Sequence, residues 1–259
     1  MSFDLDRIGG VRGYARLVDE VCACGELALQ IQRRGVATER KGDASPVTEA
    51  DRRVEDRLRR YLEKTYPASG FLGEESGAAH AHDGLRWIVD PIDGTRAFVR
   101  QIPTWSVLLG LEVDGDIALG IALLPAAGDL LEGWAGGGAR INGRACRLSS
   151  VNVLGEAMVG HGAVQQFVGH EAPLQRIATQ TYSQRGFVDF ANYRELLQGR
   201  MDVVFDPGVK AYDVAPAALL VREAGGAFSD LGGEPTIHGE GFLASNGHIH
   251  DAALALWRG

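Results

Sequence analysis

The chain of 259 residues is 45% hydrophobic and 23% charged, the balance of an ordinary globular protein large enough for one domain or two closely joined ones. With 26 Lys and Arg against 34 Asp and Glu it carries a net charge of −8, which argues against gripping nucleic acid through its phosphates. Cys22, Cys24 and Cys146 cannot all pair, no signal peptide opens the chain, and no run approaches the ~20 apolar residues of a membrane span, so a cytoplasmic protein is expected.

Leu17, Val21, Cys24, Leu27 or Ala28, and Ile31 keep helical spacing, and Gly35 marks a stop. A second helix is predicted over about 48–66, with Val54, Leu58, Tyr61 and Leu62 on one face and Pro67 beyond its end. Thr48 followed three residues later by Asp51 is a helix-start pattern. Trp87-Ile88-Val89 reads as a short buried strand that ends at Asp90-Pro91 and delivers a loop. Strands over 106–113 and 117–124 flank Asp114-Gly115-Asp116, a hairpin signal, and a further hairpin is expected around 136–138 and Asn142-Gly143. From about residue 150 the texture alternates: strand 157–160, helix 190–198, strand 203–205, helix 214–224, strands 227–229 and 242–244, and a last helix from near His248. The reading is an α+β first half (1–150) and an α/β second half (151–259), packed as one unit.

Asp90-Pro91-Ile92-Asp93-Gly94-Thr95 is the sharpest feature. Two carboxylates stand three apart around a proline that fixes its dihedral and offers no N–H, so a carbonyl can face a cation. Gly94 and Thr95 then open a helix-compatible stretch whose free N–H groups suit a phosphate. Anions beside an anion-binding helix start are contradictory unless metal cations lie between them. Gly73-Glu74-Glu75-Ser76, the segment from Lys41 to Asp51, and Lys210-Ala211-Tyr212-Asp213 add further acidic groups at loop–helix junctions. Alone, each has an ordinary reading: a surface Glu pair, a helix cap at Thr48 and Asp51, an N-cap at Asp213 with Pro216 in the first turn. Together they form an all-oxygen ligand set that suits Mg²⁺ or Mn²⁺ rather than zinc. The histidines do not fall in a zinc pattern, no Cys-x-x-Cys occurs, and Gly136-Gly137-Gly138 lacks the Lys-Ser/Thr of a phosphate-binding loop.

The set Gly73-Glu74-Glu75, Trp87 through Thr95, Asp213 before an apolar helix, and Glu223-Ala224-Gly225-Gly226 resembles the inositol monophosphatase superfamily, from about Lys41 to Asn246. The resemblance implies a layered αβαβα fold, a homodimer, and Mg²⁺-dependent, lithium-sensitive hydrolysis of small phosphomonoesters. It implies Glu74, Asp90, the Ile92 carbonyl, Asp93 and Asp213 as ligands of two or three ions, with Asp90 bridging two of them. Asp51, Thr95 and Glu74 would be catalytic, Asp51 and Thr95 by orienting the attacking water; a helix N-cap is the alternative reading of Thr95, and the two are compatible. Asp93, Gly94 and Thr95 would bind the phosphate, and Lys41 would stand near the outer metal.

Thr95-Arg96-Ala97-Phe98, Pro103-Thr104-Trp105, Arg185 through Phe190 and Lys210 through Asp213 look more like the histidinol-phosphate phosphatase branch than the inositol branch. Histidinol phosphate carries an amine and an imidazole, for which Asp189 and Asp206 are candidate counter-charges. Arg96 and Lys210 are further candidates for substrate contact. Asp206 reads equally as part of an Asp-Pro-Gly turn, and inositol hydroxyls would also bond to carboxylates. Inositol 1-phosphate is therefore the alternative substrate. A bisphosphate is a lesser one, since beyond Arg96, Arg100 and Lys210 no extra basic residues attend the site. A regulatory interaction protein on the same fold is the rival from another class.

Overall fold

Helices α1 (Gly10–Arg33) and α2 (Glu49–Thr65) each bury one apolar stripe: Leu17, Val21, Cys24, Ala28 and Ile31 from the first, Val54, Leu58 and Leu62 from the second. Two short antiparallel strands, β1 (Thr38–Arg40) and β2 (Pro46–Thr48), lead into α2. There Thr48 is the N-cap and Asp51 closes a capping box, accepting from Thr48 N at 2.8 Å and Thr48 Oγ1 at 2.6 Å. The computed structural model describes residues 2–35, 38–40, 46–79 and 82–259. Lys41 lies outside the described residues.

The two helices cover one face of an eight-stranded sheet made of β3 (Gly70–Gly73), β4 (Gly77–Ala79), β5 (Leu85–Asp93), β6 (Ser106–Val113), β7 (Asp116–Leu124), β8 (Asp129–Trp134), β9 (Gly138–Ile141) and β10 (Arg144–Ala145). Its order is β10-β9-β8-β7-β6-β5-β3-β4, and β3 with β5 is its one parallel pair. A short helix, α3 (Thr95–Val99), follows β5. The chain continues through β11 (Met158–His161), α4 (Glu171–Gln180), β12 (Ser183–Arg185), α5 (Phe190–Leu197), β13 (Val203–Asp206), α6 (Ala211–Glu223), β14 (Ala227–Ser229), β15 (Phe242–Ser245) and α7 (His250–Arg258). These strands form a mixed five-stranded sheet in the order β12-β11-β13-β15-β14. α5 and α6 lie between the two sheets, and α4 and α7 pack together on the outer face of the second.

This is an αβαβα stack, the layering that the family resemblance implies. Period-two alternation builds it. On β13 and β15, Val204, Phe242 and Ala244 join the core shared with the first sheet, while Val203, Phe205 and Leu243 join the outer core with Ile177, Leu256 and Trp257. Among the described residues no helix is long and apolar enough to cross a membrane.

Three local expectations need correction. The strand that opens at Leu85 does not stop at Asp90-Pro91 but runs to Asp93, because the ladder with β6 skips from Asp90–Leu108 to Asp93–Ser106 and the proline falls in that irregularity. α6 starts at Ala211 with Lys210 as its N-cap, so Asp213 is the third helical residue, accepting from Lys210 N, rather than the cap. Pro216 consequently lies inside the helix, beyond the first turn. α4 and β12 carried no clear periodicity in the sequence and appear only in the structure.

α6 crosses the first sheet over a row of cross-strand glycines, Gly110, Gly120 and Gly133. A Cβ on Gly110 would meet Ala215 Cβ at 2.8 Å, and one on Gly120 would meet the Pro216 backbone at 2.9–3.3 Å. The missing side chains let the helix sit close on the sheet.

Candidate active site

The end of β5 places Asp90 and Asp93 on a buried turn in front of α3, and α6 brings Asp213 to them. One carboxylate oxygen from each of the three lies within 4.8 Å of the others. Asp90 Oδ1 accepts from Ile92 N at 3.0 Å, and Asp213 Oδ2 accepts from Lys210 N at 2.5 Å. Asp93 Oδ2 is held twice, by Ser106 Oγ at 2.7 Å and by Phe190 N at 2.8 Å. A second group gathers Asp51, Glu74 and Glu75, again with ligand oxygens within 4.8 Å. The turn carrying the two glutamates is fixed by Glu74 N donating to Val89 O, and by Glu55, which accepts from Glu75 N and Ser76 N at 2.8 and 2.7 Å.

The groups adjoin, since the Glu74 charge raises the pKa of both Asp51 and Asp90. Burial is the larger cause for both, and Thr48 partly offsets it at Asp51. Burial and then Asp189 push Asp93 well above the carboxylate range; burial and then Asp93 push Asp213 up to about 7. Carboxylates removed from water and set against one another are costly unless a cation or protons intervene. Every side-chain donor in the two groups is a carboxylate oxygen, a set that fits a hard divalent cation.

Thr95 joins the groups: its Oγ1 lies 3.2 Å from both Asp51 Oδ1 and Ile92 O. Gly94, at φ +80°, precedes α3, and a Cβ there would stand 2.4 Å from Asp189 Oδ2. Asp189 and its neighbour Val188 both take positive φ, 52° and 67°. For a β-branched valine that is a strained conformation, and it holds the Asp189 carboxylate over Gly94.

Glu74, Asp90, Ile92, Asp93, Gly94, Thr95 and Asp213 line a cavity of about 690 Å³ whose walls also include Arg96, Phe187, Asp189, Tyr193 and Asp206. Burial first, then the Asp213 charge, raises Asp206 to about 7; burial, Asp206 and Asp213 do the same for Asp189, against a lowering pull from Arg96. Of the residues singled out from sequence, Asp51, Glu74, Asp90, Ile92, Asp93, Gly94, Thr95, Arg96, Asp189, Asp206 and Asp213 are therefore gathered at or against this cavity. Lys210 is not: it is exposed at the α6 N-cap, away from the cavity wall. Glu75 stood in the acidic Gly73–Ser76 segment singled out from sequence but was given no ligand role there; the structure groups it with Asp51 and Glu74. Sequence reasoning passed over Ser106 and Gln166, which no motif marks.

The Inositol monophosphatase family model matches residues 14–258. A histidinol-phosphatase of Mycobacterium tuberculosis is 35% identical over 83% of this chain and 85% of its own length. An inositol-1-monophosphatase of Mesorhizobium japonicum is 36% identical over 83% of each chain. An IMPase of Thermotoga maritima superposes with a TM-score of 0.86 at 28% identity, covering 95% of this chain and 96% of that one. The chain belongs to the inositol monophosphatase family and is, like the relatives it matches, a phosphatase.

Proposed function

We propose that this phosphatase hydrolyses a small phosphomonoester with Mg²⁺, and that histidinol phosphate is the substrate its site fits best. The observation that carries the reading is the pair of adjoining carboxylate groups beside the Thr95–Asp51 contact. Glu74, Asp90, Asp93, Asp213 and the Ile92 carbonyl are the residues to hold two or three Mg²⁺ ions, with Mn²⁺ as a substitute. Bound Mg²⁺ supplies charge neutralisation for the phosphate and leaving oxygen and a lowered pKa for attacking water. Thr95 Oγ1 can donate to Asp51 Oδ1 while accepting from that water, which leaves Asp51 as the proton acceptor. The first N–H groups around Gly94 and Thr95 have no intrahelical partners and suit phosphate oxygens.

Asp189 and Asp206 line the cavity and are assigned to the leaving group, with Arg96 balancing Asp189. Two buried carboxyls there favour a leaving group with positive charge, such as the amine and imidazole of histidinol. Inositol 1-phosphate remains the second reading, supported by the similar identity to relatives of both names. Family resemblance also supports a cytoplasmic, lithium-sensitive homodimer. Phosphate release from histidinol phosphate and inositol 1-phosphate, each with Mg²⁺ and with EDTA, tests the reading. Faster Mg²⁺-dependent release from histidinol phosphate is expected; a strong preference for the inositol ester would overturn the substrate assignment.

A further inference from the structure

The turn that carries Glu74 and Glu75 joins β3 to β4 and is held from two sides. Glu74 N donates to Val89 O at 3.2 Å, which ties the turn to β5, the strand that bears Asp90. Glu55 ties it to α2: Oε2 accepts from Glu75 N at 2.8 Å and Oε1 from Ser76 N at 2.7 Å. Glu55 is 3% exposed and stands four residues after Asp51, so the two carboxyl groups share one face of α2, a single turn apart. Asp51 is itself pinned by the bonds it accepts from Thr48. Gly73 leaves the passage open for Glu55. A Cβ there would meet Glu55 Oε2 at 2.6 Å and Glu55 Cδ at 2.7 Å.

We propose that Glu55 is a positioning residue that sets Mg²⁺ affinity, by holding Glu74 and Glu75 against Asp51 before any ion arrives. This rests on the metal-dependent phosphatase reading above. Two successive backbone N–H groups call for two acceptors in one plane, which a carboxylate offers; a carboxamide would turn its NH₂ against one of them. Asp51 and Glu55 ride on the same helix, so the length of one side chain fixes how far the glutamate turn stands from Asp51. Without an ion, Asp51, Glu74 and Glu75 repel one another, and the turn is pushed away from α2. The two bonds to Glu55 oppose that push. A turn freed from them keeps its strand pairing and its tie to β5 but loses both links to α2, and the metal must then draw the group together at the expense of binding.

Two substitutions break the clamp by different means. Glu55→Gln keeps the size of the side chain and turns one acceptor into a donor, whereas Gly73→Ala keeps the carboxylate and crowds it off the turn. Calorimetry on EDTA-stripped protein would measure Mg²⁺ binding, and amide hydrogen exchange without metal would read the Glu75 and Ser76 N–H groups. Phosphate release from histidinol phosphate and inositol 1-phosphate would give the half-activating Mg²⁺ concentration, and thermal melts would confirm folding. In both variants the Mg²⁺ Kd and the half-activating concentration are expected to rise about 10–100-fold, with faster exchange at the two amides. Substrate KM at saturating Mg²⁺ should move by less than about threefold, a split that a general loss of stability would not produce. Joined in one chain, the two substitutions should cost little more than either alone, because they break the same contact. Faster exchange with a Mg²⁺ Kd within about twofold of wild type would overturn the proposal. Should Glu55→Gln fail to fold, Glu55→Asp, with both acceptors on a stem one methylene shorter, makes the same comparison. Wild-type phosphate release indifferent to Mg²⁺ and EDTA would sink the metal-dependent reading itself and the proposal with it.

Discussion

Ser106 Oγ and Phe190 N, from different halves of the chain, converge on one oxygen of Asp93 and so fix the plane of its carboxyl group. An asparagine can keep an acceptor for those donors but gives up the charge. Asp93→Asn is therefore expected to lower Mg²⁺-dependent kcat/KM by roughly 100-fold or more, while the metal-free melting temperature stays level or rises, as kinetics and thermal melts would show. Asp206 offers a cleaner electrostatic test. Burial, and then the Asp213 charge, raises its folded pKa from the ordinary 3.8 to about 7, so the folded state holds this proton more tightly than the unfolded one. Its contribution is fully present below pH 4 and is lost as pH rises through 7. Asp206→Asn should accordingly stabilise the metal-free protein at pH 8 by about 1–4 kcal/mol relative to pH 4, measured by urea denaturation at both pH values. Asp90 and Asp93 were legible because they share one six-residue run with a proline and a glycine. Ser106 and Gln166 were not, because strand register and tertiary approach alone bring them to the cavity.

α6 positions Asp213 by lying against the glycine row of the first sheet. Gly120→Ala would push a methyl group against Pro216 Cα at 2.9 Å and its carbonyl oxygen at 3.0 Å, contacts with backbone that cannot swing aside. The expected cost is about 1–3 kcal/mol in urea denaturation, accompanied by a fall in kcat as Asp213 shifts from Asp90 and Asp93. The apolar periodicity of α1, α2 and α5 and the hairpin turn at Asp114-Gly115, where both residues take positive φ, were open to reading from sequence. The start of α6 was not, since Ala211 and Tyr212 carry no start signal and Asp213 looks like a cap until the bond it accepts from Lys210 N is seen. The extension of β5 through Pro91 depends on a skip in its pairing with β6, which is a property of the neighbour and not of the segment.

The five layers bury the carboxylates of two sheets and three helices in one place, and the folded chain carries that charge as a liability until cations or protons balance it. The raised pKa values of Asp90, Asp93, Asp189, Asp206 and Asp213 all share one sign. Metal-free stability should therefore fall as pH rises from about 4 to above 7, and saturating Mg²⁺ should raise the melting temperature more at pH 8 than at pH 5. Calorimetric melts with Mg²⁺ and with EDTA at the two pH values check this; an equal shift at both would contradict it. The layering itself was readable as strand–helix alternation after residue 150, while the order of strands within each sheet required the structure.

The Phe190 N–H that steadies Asp93 is supplied by a segment nearly a hundred residues downstream, and Asp213 arrives later still. Residues before 150 can gather Asp51, Glu74 and Asp90 by themselves, yet they hold the Asp93 carboxyl by the Ser106 hydroxyl alone and lack Asp213. Regain of turnover during refolding is thus a late reporter: it should lag the return of sheet signal in circular dichroism and coincide with docking of α5 and α6.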